Sequence, residues 1–162
     1  MRDKLWNLLD KMRFEYHYYQ EYRQSLERVR IGIRIFASIA ALLLVGGLSA
    51  IINIPAIGQL FALAAGILAL IYEQTMIDKK LNVFRYFIPD INSQLNLLQE
   101  DWLKVNDVYE YSEEDIAKIF TAHFNAFNKI SERYVDEIAI PDRGKLRNKA
   151  SKTTEMFAQR LS

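Results

Sequence analysis

The chain has no cysteine, two histidines, three prolines and six glycines. Without cysteine there is neither a disulfide framework nor thiol chemistry. Two histidines would leave a zinc site leaning on carboxylates, so no metal or cofactor site is expected. So few turn-forming residues make long helices the default. The most consequential absence is local. No Asp, Glu, Lys or Arg stands between Arg34 and Glu73, so residues 35–72 form an uncharged run of 38 positions rich in Ala, Leu, Ile and Gly.

A bilayer core of about 30 Å needs roughly 20 apolar residues as a helix. The run is about twice that and carries a turn signal, Asn53-Ile54-Pro55, at its midpoint. The pattern predicts a transmembrane hairpin, 31–52 out and 56–72 back, in an all-α membrane protein of three regions. These are an N-terminal cytoplasmic helix at 1–30, the two-span hairpin at 31–74 and a C-terminal cytoplasmic helical region at 75–162. A hairpin buried inside a soluble protein is the alternative, but a helix facing water needs a polar side and neither half of the run has one. The run starts too far in for a cleavable signal peptide, so the first span is expected to stay as a signal anchor.

Small residues are ordered along both halves. Ala37 and Ala41, then Gly46 and Ala50, are spaced by four in the first span, as are Gly58, Ala62 and Gly66 in the second. Such stripes let helix backbones approach closely in lipid, where packing drives association. Folding at residue 54 brings Arg34 and Glu73 to similar depth, which predicts that they face each other within or between subunits. Asp78 is expected near Arg30 one turn further out. Arg23, Arg28, Arg30 and Arg34 precede the first span and Lys79, Lys80 and Arg85 follow the second, while the turn is uncharged. Positive-inside bias then places both termini in the cytoplasm, in a multi-pass protein of the inner membrane.

The flanks read as helix. Leu5, Leu8, Met12, Tyr19, Tyr22, Leu26, Val29, Ile33 and Phe36 recur at three and four, with Glu15 the one polar member. That repeat predicts a single helix over about 4–52, on the order of 70 Å long. The aromatics Phe14, Tyr16, Tyr18, Tyr19 and Tyr22 with His17 suit a protein–protein seam. They lie too far from the run for an interfacial belt. The second span is expected to continue as helix through Ile77, Leu81, Phe84 and Ile88 until Pro89 ends or kinks it. The pattern restarts at Ile91, Leu95, Leu98, Trp102, Val105 and Tyr109. A third helix begins at Ser112, with Asp115 three residues on as in a capping box, and its seam is Ile116, Phe120, His123, Phe127, Ile130 and Tyr134. His123 reads as a satisfied core histidine rather than a pH sensor. Pro141, Asp142 and Gly144 mark a turn before a last helix over 145–161.

The formal charge of +1 argues against a strongly basic nucleic-acid binder. Charge is nonetheless uneven: residues 90–138 carry eleven acidic and four basic side chains, and 139–162 carry six basic and two acidic. Self-packing and solvation of the basic tail rank first, contact with anionic lipid second and nucleic acid last. No enzyme is expected. There is no Gly-rich phosphate loop and no nucleophile elbow. Arg13 and His17 stand closer together than the Arg and His of HEPN-type ribonucleases. Glu113 and Glu114 open a helix, where they complement its dipole.

The whole outline, the 35–72 hairpin with its long helical flanks, resembles the SLATT-type two-transmembrane effectors of bacterial antiphage defence. It is similar in plan to the small membrane accessory proteins of RNA-targeting CRISPR systems. The resemblance implies a triggered, membrane-perturbing homo-oligomer with a cytoplasmic defence-system protein as partner. Two spans cannot enclose a conduit alone, so a pore requires several copies. Its candidate lining is Ser38, Ser49, Asn53 and Gln59, with Arg34 and Glu73 at the mouth; a mostly apolar channel gated by dewetting is also compatible. The other reading is a non-conducting scaffold that docks a cytoplasmic partner through its helical seams.

Overall fold

The computed structural model describes the backbone of residues 1–45, 55–107, 111–135 and 143–161. Side chains at 43–59, 61, 62, 74, 75, 135 and 157–161 fall outside the described set. Five helices account for it: α1 (Arg2–Val45), α2 (Pro55–Thr75), α3 (Ile77–Asp107), α4 (Glu113–Val135) and α5 (Gly144–Leu161). Of the described residues 96% are helical and none is in a strand, so the core is built by packing helices. The all-α expectation holds. The turn at Asn53-Ile54 and the tail of the expected first span lie outside the described residues; Pro55 opens α2, a position that suits its fixed φ and missing N–H.

The chain divides into two compact units: Met1–Arg23 with Asn82–Ser162, and Gln24–Leu81. The first is a helical bundle whose core matches the seams read from the sequence. Leu5, Leu8, Leu9 and Met12 of α1 are buried with Leu95, Leu98 and Val105 of α3 and Ile116 and Phe127 of α4. Trp6 lies against Trp102 at 5.1 Å between ring centres. Removing these side chains from water is the main stabilising term, roughly 1.5–3 kcal/mol for each fully buried Leu, Ile or Phe.

The aromatic cluster forms a seam within this chain. Tyr19 meets Phe87 at 4.9 Å, Tyr22 meets Phe84 at 5.8 Å and Phe87 meets Tyr134 at 5.0 Å. Tyr134 donates its hydroxyl hydrogen to Asp90 at 2.8 Å. Helix α5 packs back onto α1: the Lys149 ammonium is 2.7 Å from Glu21, the Arg143 guanidinium lies over the Tyr22 ring, and Ala150 and Thr154 are buried. Glu15, the polar member of the α1 repeat, accepts from Tyr19 at 3.3 Å and lies 3.9 Å from Lys11.

Two helix boundaries differ from expectation. Of the two outcomes expected at Pro89, an end or a kink, the end does not occur: helix α3 runs through it. Proline frees the carbonyl four residues back, that of Arg85; Pro89 and Arg85 both lie on the exposed side, where water can satisfy that oxygen. The break falls instead at Met76, between α2 and α3, where the pattern predicts unbroken helix. Met76 has a φ of 49°, and its N–H donates to the Glu73 carbonyl at 3.2 Å. The α4 start is as read: Ser112 Oγ accepts from the Asp115 N–H at 3.2 Å and donates to the Asp115 carboxylate at 2.6 Å.

Candidate functional site

The second unit, Gln24–Leu81, holds the residues singled out for function, and each of its helices presents three faces. With 3.6 residues per turn, Ile33, Phe36 and Ala40 share the inward side of α1. Ala40 is 2% exposed, and Ile33 and Phe36 are half-buried. A second face carries Ile31, Ile35, Ile39 and Leu42, large apolar side chains that are all exposed. A third carries Arg34, Ala37, Ser38 and Ala41, also exposed. In α2, Ala64, Ala65, Leu68 and Tyr72 are half-buried. Leu60, Leu63, Ile67, Leu70 and Ile71 form an exposed bulky face, and Gly66, Ala69 and Glu73 an exposed small one that ends in a carboxylate. A Cβ built on Gly66 would meet nothing within 4 Å.

This locates the candidate residues. Arg34, Ser38 and Glu73 are exposed, and each lies on the small-residue face of its helix. Ala37, Ala41 and Gly66 share those faces, whereas the inward position belongs to Ala40, which the spacing of small residues did not single out. Ser49, Asn53, Gln59, Gly46, Ala50, Gly58 and Ala62 lie outside the described side chains.

The polar end of this unit is a small cluster. Arg30 Nη1 is 3.5 Å from Asp78 Oδ1, the pairing expected one turn beyond Arg34. Tyr72 donates its hydroxyl hydrogen to the other Asp78 oxygen. These hydrogen bonds, Tyr72 first and then Arg30, hold the Asp78 carboxyl below its ordinary range, with the nearby Arg34 charge adding to the effect. Arg34 and Glu73 do not form an ion pair among the described residues; the Arg34 guanidinium interacts instead with the Tyr72 hydroxyl and Asp78. The sequence pattern gives no sign that Tyr72 and Asp78 compete for the arginine. The Arg30 Nε is buried without a hydrogen-bond partner.

In the first unit the one buried histidine is satisfied on both sides. Gln94 Nε2 is 2.6 Å from His123 Nδ1, and Asp101 Oδ2 is 3.0 Å from Nε2. The tautomer protonated at Nε2 fits both contacts, accepting from Gln94 and donating to Asp101. The ring thus ties α4 to two turns of α3. Burial alone would raise the Asp101 carboxyl, but hydrogen bonds from His123 and Lys104 outweigh it and hold the group below its ordinary value. An open groove of about 470 Å³ on α4 is lined by Glu114, Ala117, Lys118, Thr121, Ala122 and Asn125, and the Lys118 ammonium lies 2.9 Å from the Glu114 carboxylate. Among the described residues no group of three His, Cys, Asp or Glu could hold a metal ion.

Among the described residues, too, no helix is long and apolar enough to cross a membrane. The described side chains leave out 43–59, the centre of the uncharged run. The chain matches no family model, no curated protein and no solved structure.

Proposed function

We propose that this chain is a homo-oligomeric integral membrane protein whose hairpins assemble a pore. Residues 31–52 and 56–72 cross the bilayer of the inner membrane and both termini are cytoplasmic. The observation that carries this reading is the segregation of exposed side chains in the Gln24–Leu81 unit. Contacts of Arg30 and Arg34, which precede or open the uncharged run, with Tyr72 and Asp78 at its far end support antiparallel neighbours. In a right-handed antiparallel pair, the Ile31, Ile35, Ile39 and Leu42 face of α1 and the Leu63, Ile67 and Leu70 face of α2 fall on one side. The faces holding Arg34, Ala37, Ser38 and Ala41, and Gly66, Ala69 and Glu73, fall together on the other. A hairpin bulky on one side and small and polar-tipped on the other suits lipid outside and neighbouring copies around a narrow lumen inside.

The 38 uncharged residues supply the length for two crossings, and the cation bias of the flanks supports the orientation. A role as a membrane-perturbing effector in antiphage defence rests on the architectural resemblance to SLATT-type proteins. Purified full-length protein in liposomes loaded with a fluorescent ion indicator tests the pore, with native gels of the same sample reporting assembly. The expected result is ion leak from vesicles whose protein runs as an oligomer. A membrane-embedded monomer without leak overturns it, and a stable complex with a cytoplasmic protein that leaves the membrane potential unchanged favours the scaffold.

A further inference from the structure

Met76 is a single residue between two helices, in the left-handed region at φ 49°. It is the first residue past the end of α2, and its N–H bond to the Glu73 carbonyl is one of the two bonds that define a Schellman-type helix end. Glycine is usual there because a Cβ clashes with the following carbonyl. The local sequence gives no reason to stop: Gln74-Thr75-Met76-Ile77-Asp78-Lys79-Lys80 has no Gly, Pro or Asn, and Gln, Met and Lys are good helix formers. The break is therefore imposed by contacts made elsewhere.

Those contacts are specific to the broken state. Tyr72 precedes the joint and Asp78 follows it, and the Tyr72 hydroxyl donates to the Asp78 carboxylate. On a continuous helix residues six apart do not share a face, so this bond exists only while the helix is interrupted. Arg30 of α1 holds the same carboxylate at 3.5 Å. Asp78 also lies in the first turn of α3, where a carboxylate complements the helix dipole, a benefit lost in mid-helix. The Lys80 N–H donates to the Met76 carbonyl at 3.0 Å and starts the new helix. Ile77 and Leu81 are buried, while the Met76 side chain is 58% exposed and contributes little to holding the bend.

We propose that Met76 is a two-state joint, latched broken by Asp78 through Tyr72 and Arg30, and that release of this latch lets α2 and α3 merge into one continuous helix. The joint lies four residues past Tyr72, the last residue of the second span. On the pore reading, on which only this consequence rests, merging the helices regulates the conduit. The Arg30 Nε, buried without a partner, marks the latched arrangement as incompletely satisfied.

Hydrogen exchange of the full-length protein in detergent or nanodiscs reads the joint directly. At the start of α3 the first amides have no acceptor inside that helix; in a merged helix those of Ile77, Asp78 and Lys79 bond back into α2. Asp78→Ala, which removes both arms of the latch, is expected to slow exchange in the peptide covering 76–81 by about tenfold or more. Met76→Gly, which relieves the left-handed backbone, should leave it at the wild-type rate or faster. Met76→Gly in the Asp78→Ala background should restore fast exchange. Equal exchange in all four proteins overturns the joint. Leak from liposomes is measured on the same variants. A shift in exchange without any leak from any variant leaves the joint standing and removes the pore; leak that varies while exchange does not removes the joint and leaves the pore.

Discussion

A lysine placed on the bulky face of α2 should be far more damaging than the same lysine placed one turn away on the small face. Leu63 and Gly66 are three residues apart, near the middle of the second span. Leu63 is 63% exposed on the Leu60, Ile67 and Leu70 side, and Gly66 has open space on the Ala69 and Glu73 side. If Leu63 faces lipid, a lysine there costs about 2.5–3.5 kcal/mol at the centre of a span. The lost apolar contact of the leucine adds about 1 kcal/mol. Together these are on the order of 4 kcal/mol, close to a thousandfold in the equilibrium between inserted and excluded chain. On the pore reading a lysine at 66 reaches the lumen side, where water and the Glu73 carboxylate offset most of that cost. Insertion of Leu63→Lys and Gly66→Lys into microsomes or inner-membrane vesicles, scored by resistance to alkaline extraction, gives the ratio. Equal loss at both positions, or full insertion of Leu63→Lys, would refute the two-sided hairpin.

Three further outcomes concern the helical bundle. Leu98 is fully buried in the core with Leu5, Leu9 and Met12, so Leu98→Ala should cost about 3 kcal/mol and lower the melting temperature by about 10–20 °C. A loss under about 1 kcal/mol by circular dichroism would mean that the core is loosely packed there. Asp101 titrates below its ordinary value, so it contributes stability above that value that is lost as pH falls through the lower folded one. Melts of the wild type and Asp101→Asn should therefore converge in acid and separate in favour of the wild type towards neutral pH. Glu15 runs the other way, because burial raises it more than Lys11 and Tyr19 lower it. Its charged form opposes folding above the raised folded value, so Glu15→Gln should melt higher than the wild type near neutral pH. That advantage should vanish below a pH of about 4.5.

The helices were legible because their signals are local and repeated. The three-and-four spacing through Leu5, Leu8 and Met12 and the Ser112–Asp115 cap are carried by residues within a turn or two, and the structure places them as the spacing implies. What the pattern could not give is decided by pairs far apart in the chain. Met76 reads as a helix interior because its neighbours favour helix; the contact that overrides them comes partly from Arg30, forty-six positions earlier. Glu73 and Arg34 were placed by depth alone, and depth does not rank Tyr72 and Asp78 as competing partners. Ala40 was passed over in favour of Ala37 and Ala41 because small residues on adjacent faces look alike in sequence, and only burial separates them. Proline at 89 reads as an end or a kink because its missing N–H is local, whereas the solvent beside Arg85 that lets the helix run on is not.

On the proposed reading, the same faces weigh against a hairpin buried inside a soluble chain. Ile31, Ile35, Ile39 and Leu42 on α1 and Leu60, Leu63, Ile67, Leu70 and Ile71 on α2 are each between 46% and 68% exposed. At roughly 2 kcal/mol for a fully transferred Leu or Ile side chain, half-exposure over this set leaves on the order of 10 kcal/mol of unused hydrophobic stabilisation. That is comparable to the whole net stability of a typical domain, and much more than isolated surface leucines would leave. Among the described residues no side chain covers this surface, and the proposed reading assigns that cover to lipid. Bulky, charge-free faces suit lipid, whereas the small-residue faces are tipped by Arg34 and Glu73. A soluble homo-oligomer would instead bury the bulky faces against one another and leave the Arg34 and Glu73 side to water. Fractionation separates the cases, since a soluble assembly would remain in the supernatant after ultracentrifugation and a membrane hairpin would resist extraction at alkaline pH.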